Sequence, residues 1–413
     1  MIMDCEKYVG KCVCGREHTL ETKKVVVEYG ALASFEQYMA ELGLADKKRA
    51  VVYDTNIYKL TEGKHVKADQ EIVLEANGLR SEDVLIEDMM TGLESPEVIV
   101  AFGAGTIMDF GRYPAYKLGI PFVAIPTLAS SDGFTANICS VILNGQKKSV
   151  AMCAPVLVVA DLDIIKGAPA RLVASGINDI LSKYISLVDW RISKLVAGEY
   201  YCPMVADLAE EALGIMRKAA DEYAATGVAD HEAMTMAQMK SGITMQLLNH
   251  SRAASGAEHL MAHLVEMHPP RFEAAEGIHG ECVGVGTYLC AKKYHELAEL
   301  TPKAKKFEPL TEEWIREKFG ERLAQGIIDE NANDALGTFD AQNIVDNWDE
   351  IRKLIDTIPS AEELEALYKA CGCKYLPEQI GIDPALTDEM LPISAAIRNR
   401  LTLVRMLRVL DFE

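Results

Sequence analysis

An α/β protein is predicted, with a doubly wound parallel sheet over residues 1–170 followed by an all-helical domain over 171–413. Three observations predict it. Short runs rich in Val and Ile alternate with helical stretches up to Asp161. Several of those runs end in glycine, proline or an acidic residue, the punctuation of strand-to-helix turns. Beyond Pro169 the apolar residues recur at helical spacing almost to the end of the chain. The boundary near 165–175 is a change of class, with no linker, repeat or low-complexity tract.

In order, Thr22 to Gly30 (Thr-Lys-Lys-Val-Val-Val-Glu-Tyr-Gly) predicts a buried strand, and a helix follows from Ala31 to Leu42. Arg49 to Asp54 predicts a second strand with an acidic end. A helix over 56–64, a weaker strand at Glu71–Leu74 and a further segment at Val84–Ile86 come next. Glu97–Phe102 predicts a strong strand that runs into Gly103-Ala-Gly105-Thr106 and a helix ending at Leu118. Pro121–Ile125 is another strand, closed by Pro126-Thr127. Asn144-Gly145 after Ile138–Leu143 predicts a hairpin before the last strand, Val156–Ala160. In the second half, Gly176-Ile-Asn-Asp179 is expected to open a helix, with Asp179 in its first turn. Helices are also expected over 203–225, 230–249 and 251–267, and again after His279. Met234, Met236, Met239 and Met245 read as flexible core filler. The charged faces beyond 310 read as solvated.

The 413 residues carry a formal charge of -20 and are 49% hydrophobic. That composition suits a globular protein of two or three domains. It argues against nucleic acid or an anionic membrane as partner, since both require basic surface. No apolar run reaches the ~18 residues of a membrane span, and no signal peptide is visible. The 10 cysteines are irregularly spaced and several sit in apolar runs, which fits reduced thiols and a cytoplasmic location. Cys5, Cys12, Cys14 and His18 can make a small zinc site, and Cys371-Gly-Cys373 is a weaker pair.

The chemistry concentrates between Ser251 and His279. His259 and His263 are four apart and share one helical face, and His279 returns after a break marked by Pro269, Pro270 and Gly277. Imidazoles so placed suit a metal, although spacing alone serves a polar helix face equally well. Asp179 reads either as a carboxylate ligand or as an acid favoured by a helix N-terminus. The glycines of Gly103-Ala-Gly105-Thr106 let backbone amides approach an anion, or simply turn the chain; the full dinucleotide fingerprint and a Walker lysine are both missing. Asp54 stands at a strand end, where ribose hydroxyls or solvent can receive it. The loop holding Thr127, Ser130, Ser131 and Asp132 follows a strand, at the edge of the sheet where ligands bind.

Taken jointly, the chain resembles the metal-dependent, iron-containing-type polyol dehydrogenase superfamily. The resemblance rests on Gly-Ala-Gly-Thr-x-x-Asp109, Pro-Thr-x-Ala-Ser-Ser-Asp-Gly-Phe134, Asp179, His259 and His279. Within that group it is most similar to the sn-glycerol-1-phosphate dehydrogenases, particularly their bacterial branch. That closer match is carried by Cys12, Cys14, Gly15 and His18, by Tyr116-Lys-Leu-Gly-Ile-Pro121, by Asp179-Ile-Leu-Ser-Lys-Tyr184, by Ala254-Ser-Gly-Ala-Glu-His259, by His279-Gly and by Ile397-Arg-Asn-Arg-Leu-Thr402.

The resemblance implies a dinucleotide-binding first domain and a metal- and substrate-binding second one. It implies NAD or NADP as cofactor, together with one divalent metal, zinc before nickel or iron. Asp179, His259 and His279 would be the ligands, and His263 would lie near the nicotinamide. Gly103, Gly105, Thr106 and Asp109 would form the dinucleotide loop and its helix, with Thr127 and Ser130 beside the cofactor and Asp54 at the ribose. Asp132 would face substrate or cofactor. Lys183 and Arg252 are the expected cations for a substrate phosphate, unless they are plain surface charges. The implied reaction is reduction of dihydroxyacetone phosphate to sn-glycerol 1-phosphate, and its reverse, in a homo-oligomer. Two related readings share the fold: a dehydrogenase of unphosphorylated polyols, and a dehydroquinate-synthase-like cyclase, in which glutamate stands at the Asp179 position. A binding protein without turnover is a third, opposed by the intact Asp179, His259 and His279. Ala253-Ala254 in place of Pro-Ala, and Arg112 in place of lysine, depart from the pattern and bear on substrate identity.

Overall fold

The computed structural model describes residues 1–413 except Asn144 and Gly145 and the side chain of Gln146, so the expected Asn-Gly turn lies outside the described residues. The strands of the first half are β1 (Ile2–Met3), β2 (Gly10–Lys11), β3 (Glu17–His18), β4 (Lys24–Glu28), β5 (Arg49–Asp54), β6 (Gln70–Leu74), β7 (Val98–Gly103), β8 (Phe122–Pro126), β9 (Ile138–Leu143), β10 (Gln146–Ala151) and β11 (Leu157–Asp161). Seven of them form one sheet in the order β1-β4-β11-β8-β7-β5-β6. The pairings are parallel except for β1 on β4. β9 and β10 pair as the expected antiparallel hairpin.

β5, β7, β8 and β11 are buried along their whole length, which is why they read as unbroken apolar runs. Alternate residues feed two cores. Val52, Ile99, Ala101, Ala124 and Val158 face one, and Val51, Val100, Phe102, Val123 and Val159 face the other. The chain moves outward from β5 to β6, then returns to place β7, β8 and β11 on the opposite side of β5. The direction of winding therefore reverses between β5 and β7, whose carboxyl ends carry Asp54 and Gly103. Such a reversal leaves a crevice in which ligands of open α/β sheets bind.

The helices that concern the site are α1 (Phe35–Glu41), α2 (Thr55–Leu60), α3 (Asp83–Thr91), α4 (Gly105–Leu118), α5 (Leu162–Ile165), α6 (Ala170–Leu181), α7 (Lys183–Ala197), α8 (Pro203–Thr226), α9 (His231–Leu248), α10 (Ala257–Glu266) and α11 (His279–Ala298). The segment at Val84–Ile86 belongs to α3. Two expectations are corrected. α6 starts at Ala170, straight after Pro169, so Asp179 lies in its last turn rather than its first. Gly176 is interior to α6 because any Cβ there would sit 1.9 Å from the carbonyl oxygen of Ala129; it marks close packing, not a start. α10 begins only at Ala257, because Asn249 leaves α9 in the left-handed region (φ 52°) and Gly256 is non-helical (φ -121°, ψ -145°). Ser251–Ser255 are a turn between the two helices.

Beyond α11 the chain is mostly short helices, together with one antiparallel pair, β12 (Pro302–Ala304) and β13 (Leu410–Phe412). A large apolar core joins α6, α10 and α11 to these helices. Val205 and Ala209 of α8 and Met239 and Ile243 of α9 pack instead into one of the sheet's cores, so the two halves interlock. Among the described residues no helix is long and apolar enough to cross a membrane.

Gly111 sits where α4 crosses the sheet, and a Cβ there would lie 2.7 Å from Ala101 Cβ and 2.8 Å from a Phe122 ring carbon. Gly111→Val should overpack this crossing at a cost of ~1–3 kcal/mol. Calorimetry should show a lowered melting temperature; an unchanged one would contradict the close helix–sheet contact.

Candidate active site and metal centre

Three helices converge on one point because glycines let them touch. A Cβ at Gly280 would stand 2.1 Å from the Ser175 carbonyl oxygen, one at Gly284 2.1 Å from Asn178 Nδ2, and one at Gly286 2.3 Å from the Glu258 carbonyl oxygen. α11 therefore lies directly on α6 and α10. This puts Asp179 (α6), His259 (α10) and His279 (first residue of α11) together: His259 Nε2 is 3.5 Å and His279 Nε2 3.7 Å from Asp179 Oδ1. One ligand atom from each lies within 4.8 Å of the others.

Asp179 is fully buried, yet its Oδ1 has no hydrogen-bond partner. Its Oδ2 accepts from the backbone N–H of Asp132 at 2.8 Å. A buried carboxylate oxygen left unpaired calls for a cation. Both histidines present Nε2 to it, because the Nδ1 of His259 is held by Glu258 Oε1 and that of His279 by Glu266 Oε1, each at 2.8 Å. Carboxylates behind the imidazoles in this way orient metal-binding histidines. The donor set fits a divalent metal with two nitrogens and one oxygen, leaving coordination open as a catalytic site requires.

The electrostatics agree. Burial opposes the charge on Asp179, but Lys183 and the two histidines outweigh it and hold the carboxyl well below the usual range. Burial likewise opposes the charge on Glu266, and Lys147, His279 and His263 overcome it, so its carboxyl too lies well below its ordinary value. His263 goes the other way: burial pushes it down to about 3 against the pull of Glu266, so its imidazole is neutral. Its Nδ1 lies 3.2 Å from Glu266 Oε2. With Nδ1–H donating there, Nε2 is left as an acceptor.

A cleft of about 630 Å³ opens in front of these groups, a size suited to small ligands. Its walls include Gly105, Thr106, Asp109, Ser130, Asp132, His259, His263 and His279. The N-terminus of α4 faces it, and the Cα of Gly105 looks onto open space, so an anion can approach the backbone amides there.

A family model described as iron-containing alcohol dehydrogenase matches residues 26–169. The glycerol-1-phosphate dehydrogenase [NAD(P)+] of Geobacillus thermodenitrificans is 31% identical over 407 residues, covering 95% of this chain and 94% of the relative. The enzyme of the same name from Halalkalibacterium halodurans is 30% identical, covering 98% and 97%. The chain belongs to the glycerol-1-phosphate dehydrogenase family. Its fold is that of solved iron-containing alcohol dehydrogenases. The Corynebacterium glutamicum protein superposes with a TM-score of 0.62 at 16% identity over 95% of each chain. The glycerol dehydrogenase of Schizosaccharomyces pombe gives 0.53 at 18%, over 89% of this chain and 90% of the other. The relatives' names carry NAD(P)+, and the description of the family model carries iron.

The remaining expected residues divide. Gly103 stands behind the cleft wall, where a Cβ would meet Ile107 at 2.7 Å. Thr127 is buried, and no partner is formed by its hydroxyl. Asp54 caps α2, its Oδ1 accepting from Asn56 and Ile57 at 2.9 Å each. Asp109 reaches the cleft but is engaged by Ser81 and Cys139, and burial raises its carboxyl. Arg112, the departure from the family pattern, donates to the carbonyls of Gly133 and Ile138 and pins the Asp132 turn onto α4.

Lys183 and Arg252 are corrected: neither lines the cleft. Lys183 is fully buried, with Nζ 2.8 Å from Asp132 Oδ2 and 4.0 Å from Asp179 Oδ1. Asp132 in turn accepts from Ser241, so its carboxylate is turned inward. Arg252 is buried against Glu199, Ser193 and the carbonyls of Asp189 and Leu401. Sequence reasoning missed Glu258, Glu266 and Asp189 as site-building residues. The first two carried a signal: Glu258 adjoins His259, and Glu266 shares the helical face of His259 and His263. Asp189 accepts from the Ala257 N–H that opens α10, a contact with no local signature.

Removing the Lys183 charge would leave Asp132 and Asp179 buried and uncompensated. Lys183→Met should destabilise the metal-free protein by ~3–5 kcal/mol in denaturant unfolding. Stability within ~1 kcal/mol of wild type would show that the pair does not carry this load.

Proposed function

We propose that this chain is a metal-dependent, NAD(P)-linked dehydrogenase that interconverts dihydroxyacetone phosphate and sn-glycerol 1-phosphate. The observation that carries the reading is the unpartnered buried Oδ1 of Asp179 facing His259 and His279 at the floor of a cleft that also reaches the α4 N-terminus. The curated relatives' name supplies the substrate.

In this reading Asp179, His259 and His279 hold the metal, and Glu258 and Glu266 hold the two imidazoles in the tautomer that presents Nε2. When bound, a divalent metal supplies Lewis-acid polarisation of the ketone, and the reduced nicotinamide supplies the hydride. The amides at the start of α4, around Gly105 and Thr106, receive the dinucleotide's phosphates. Ser130 lies beside the cofactor, and Asp54 is well placed for ribose hydroxyls with the oxygen that does not cap α2. His263 faces the same cleft; as a neutral acceptor at Nε2 it takes a hydrogen bond from the substrate hydroxyl and orients it. Asp132 acts from behind, through its N–H to Asp179 and its pairing with Lys183.

For the phosphate the candidates are Lys147, which lines the cleft, and Arg398 and Arg400, which stand behind its wall. Lys147 lines the cleft beside Glu266, and Arg398 is near enough to depress His263. Arg400 donates to Ser255 and Ser251, both in the cleft wall. Burial and the neighbouring Arg252 and Arg398 push its guanidinium down to about 9. A cluster of arginines that repel one another is suited to an anion such as a phosphate.

Purified protein should oxidise NADH or NADPH with dihydroxyacetone phosphate and lose that activity on chelation. Arg400→Ala and Arg398→Ala should raise KM for the phosphorylated ketone by ~10–100-fold, the value of a charge-assisted hydrogen bond, without moving KM for the cofactor. Equal turnover of free dihydroxyacetone by wild type and variants would move the substrate to an unphosphorylated polyol.

A further inference from the structure

A second cluster of donors lies outside the cleft. β2 and β3 form a short antiparallel ribbon that carries Cys12, Cys14 and His18. The chain turns through Gly15, whose φ of 86° and N–H bond to the Cys12 carbonyl fold the tip so that the two cysteines and His18 meet. Cys202, the residue that precedes α8, joins them from 190 positions away in sequence. His18 Nε2 is 3.3 Å from the sulfurs of both Cys14 and Cys202, and Cys12 Sγ is 3.7 Å from Cys202 Sγ. All four ligand atoms lie within 4.8 Å of one another.

We propose that Cys12, Cys14, His18 and Cys202 bind a structural zinc ion that fastens the N-terminal ribbon to the start of α8. The distances suit it: tetrahedral zinc with Zn–S of about 2.3 Å and Zn–N of about 2.0 Å spaces its ligand atoms ~3.5–3.8 Å apart. They do not suit a disulfide, whose sulfurs stand about 2.05 Å apart. Three thiolates and one imidazole select zinc over hard cations. With four protein ligands there is no open position, the mark of a structural site.

The supporting contacts are those of a built metal site. His18 is 2% exposed, and its Nδ1 is held by the Leu247 carbonyl at 2.8 Å, which turns Nε2 toward the sulfurs. Tyr200 Oη donates to Cys14 Sγ at 3.1 Å, and Arg16 covers the Tyr200 ring. Cys5, expected as a member from sequence, is buried elsewhere, and Cys202 takes the fourth position. The ion would tie the ribbon to two elements at once: α8 through Cys202, and the end of α9 through His18 and Leu247. This site stands independently of the Asp179 centre, and so does its test.

The test uses His259→Ala protein, purified under reducing conditions so that only the cysteine cluster competes for metal. One zinc per chain should remain, and its X-ray absorption fine structure should fit three sulfurs and one nitrogen. Exchange for cobalt should bring thiolate-to-cobalt bands in the near ultraviolet. These bands should persist in His259→Ala, disappear in Cys14→Ser and Cys202→Ser, and coincide with faster proteolysis around residues 9–20 in those two variants. A zinc shell without sulfur, cobalt protein lacking the thiolate bands, or a Cys12–Cys202 disulfide in peptide maps of the reduced preparation would each overturn the proposal. Should Cys202→Ser not fold, the absorption measurement on His259→Ala decides alone.

Discussion

A carboxylate taken completely out of water is the constraint around which the rest is arranged. Asp179 has no exposed atom, and one of its oxygens has no hydrogen bond. Such a group survives only among positive charge and donors. Lys183 supplies one cation from the next turn of chain, the Asp132 N–H satisfies the other oxygen, and two imidazole nitrogens face the oxygen that is left. The surrounding carboxylates, Glu258 and Glu266, then follow as the groups that turn those imidazoles. Polar side chains form one network, from Lys147 through Glu266 and His279 to Asp179, Lys183 and Asp132.

Backbone packing makes this arrangement possible. Gly280, Gly284 and Gly286 remove the side chains that would hold α11 away from α6 and α10, so Asp179, His259 and His279 meet across helices rather than along one. On the other side of the cleft, the reversal of winding between β5 and β7 leaves the end of the sheet open beneath α4. The helices that carry Asp179, His259 and His279 and the N-terminal end of α4 therefore face one cleft, which is what the proposed reaction between a dinucleotide and a ketone requires.

The sheet was legible because its central strands are buried on both faces and so appear as continuous apolar runs. The His259–His263 pair was legible because four-residue spacing survives translation into a helix, whereas the pairing of His259 with His279 came from the family resemblance. Gly176 misled: a glycine admitted for contact with Ala129 looks, in sequence, like a helix start. Lys183 and Arg252 misled for a different reason. Whether a cation faces solvent, substrate or a buried acid depends on partners such as Asp132 and Glu199, more than fifty positions away. Cys202 was invisible on the same ground, since its companions sit 184 to 190 positions earlier in the sequence, whereas Glu266 was readable one turn beyond His263.

The most direct measurement is anomalous X-ray diffraction from crystals of the chelated protein soaked in a divalent transition metal, recorded on either side of its absorption edge. The account predicts a peak about 2.0–2.2 Å from Asp179 Oδ1, His259 Nε2 and His279 Nε2 together, with dihydroxyacetone phosphate completing the shell when added. Density absent from that point, with those three side chains well ordered, would contradict a metal centre there and with it the proposed chemistry.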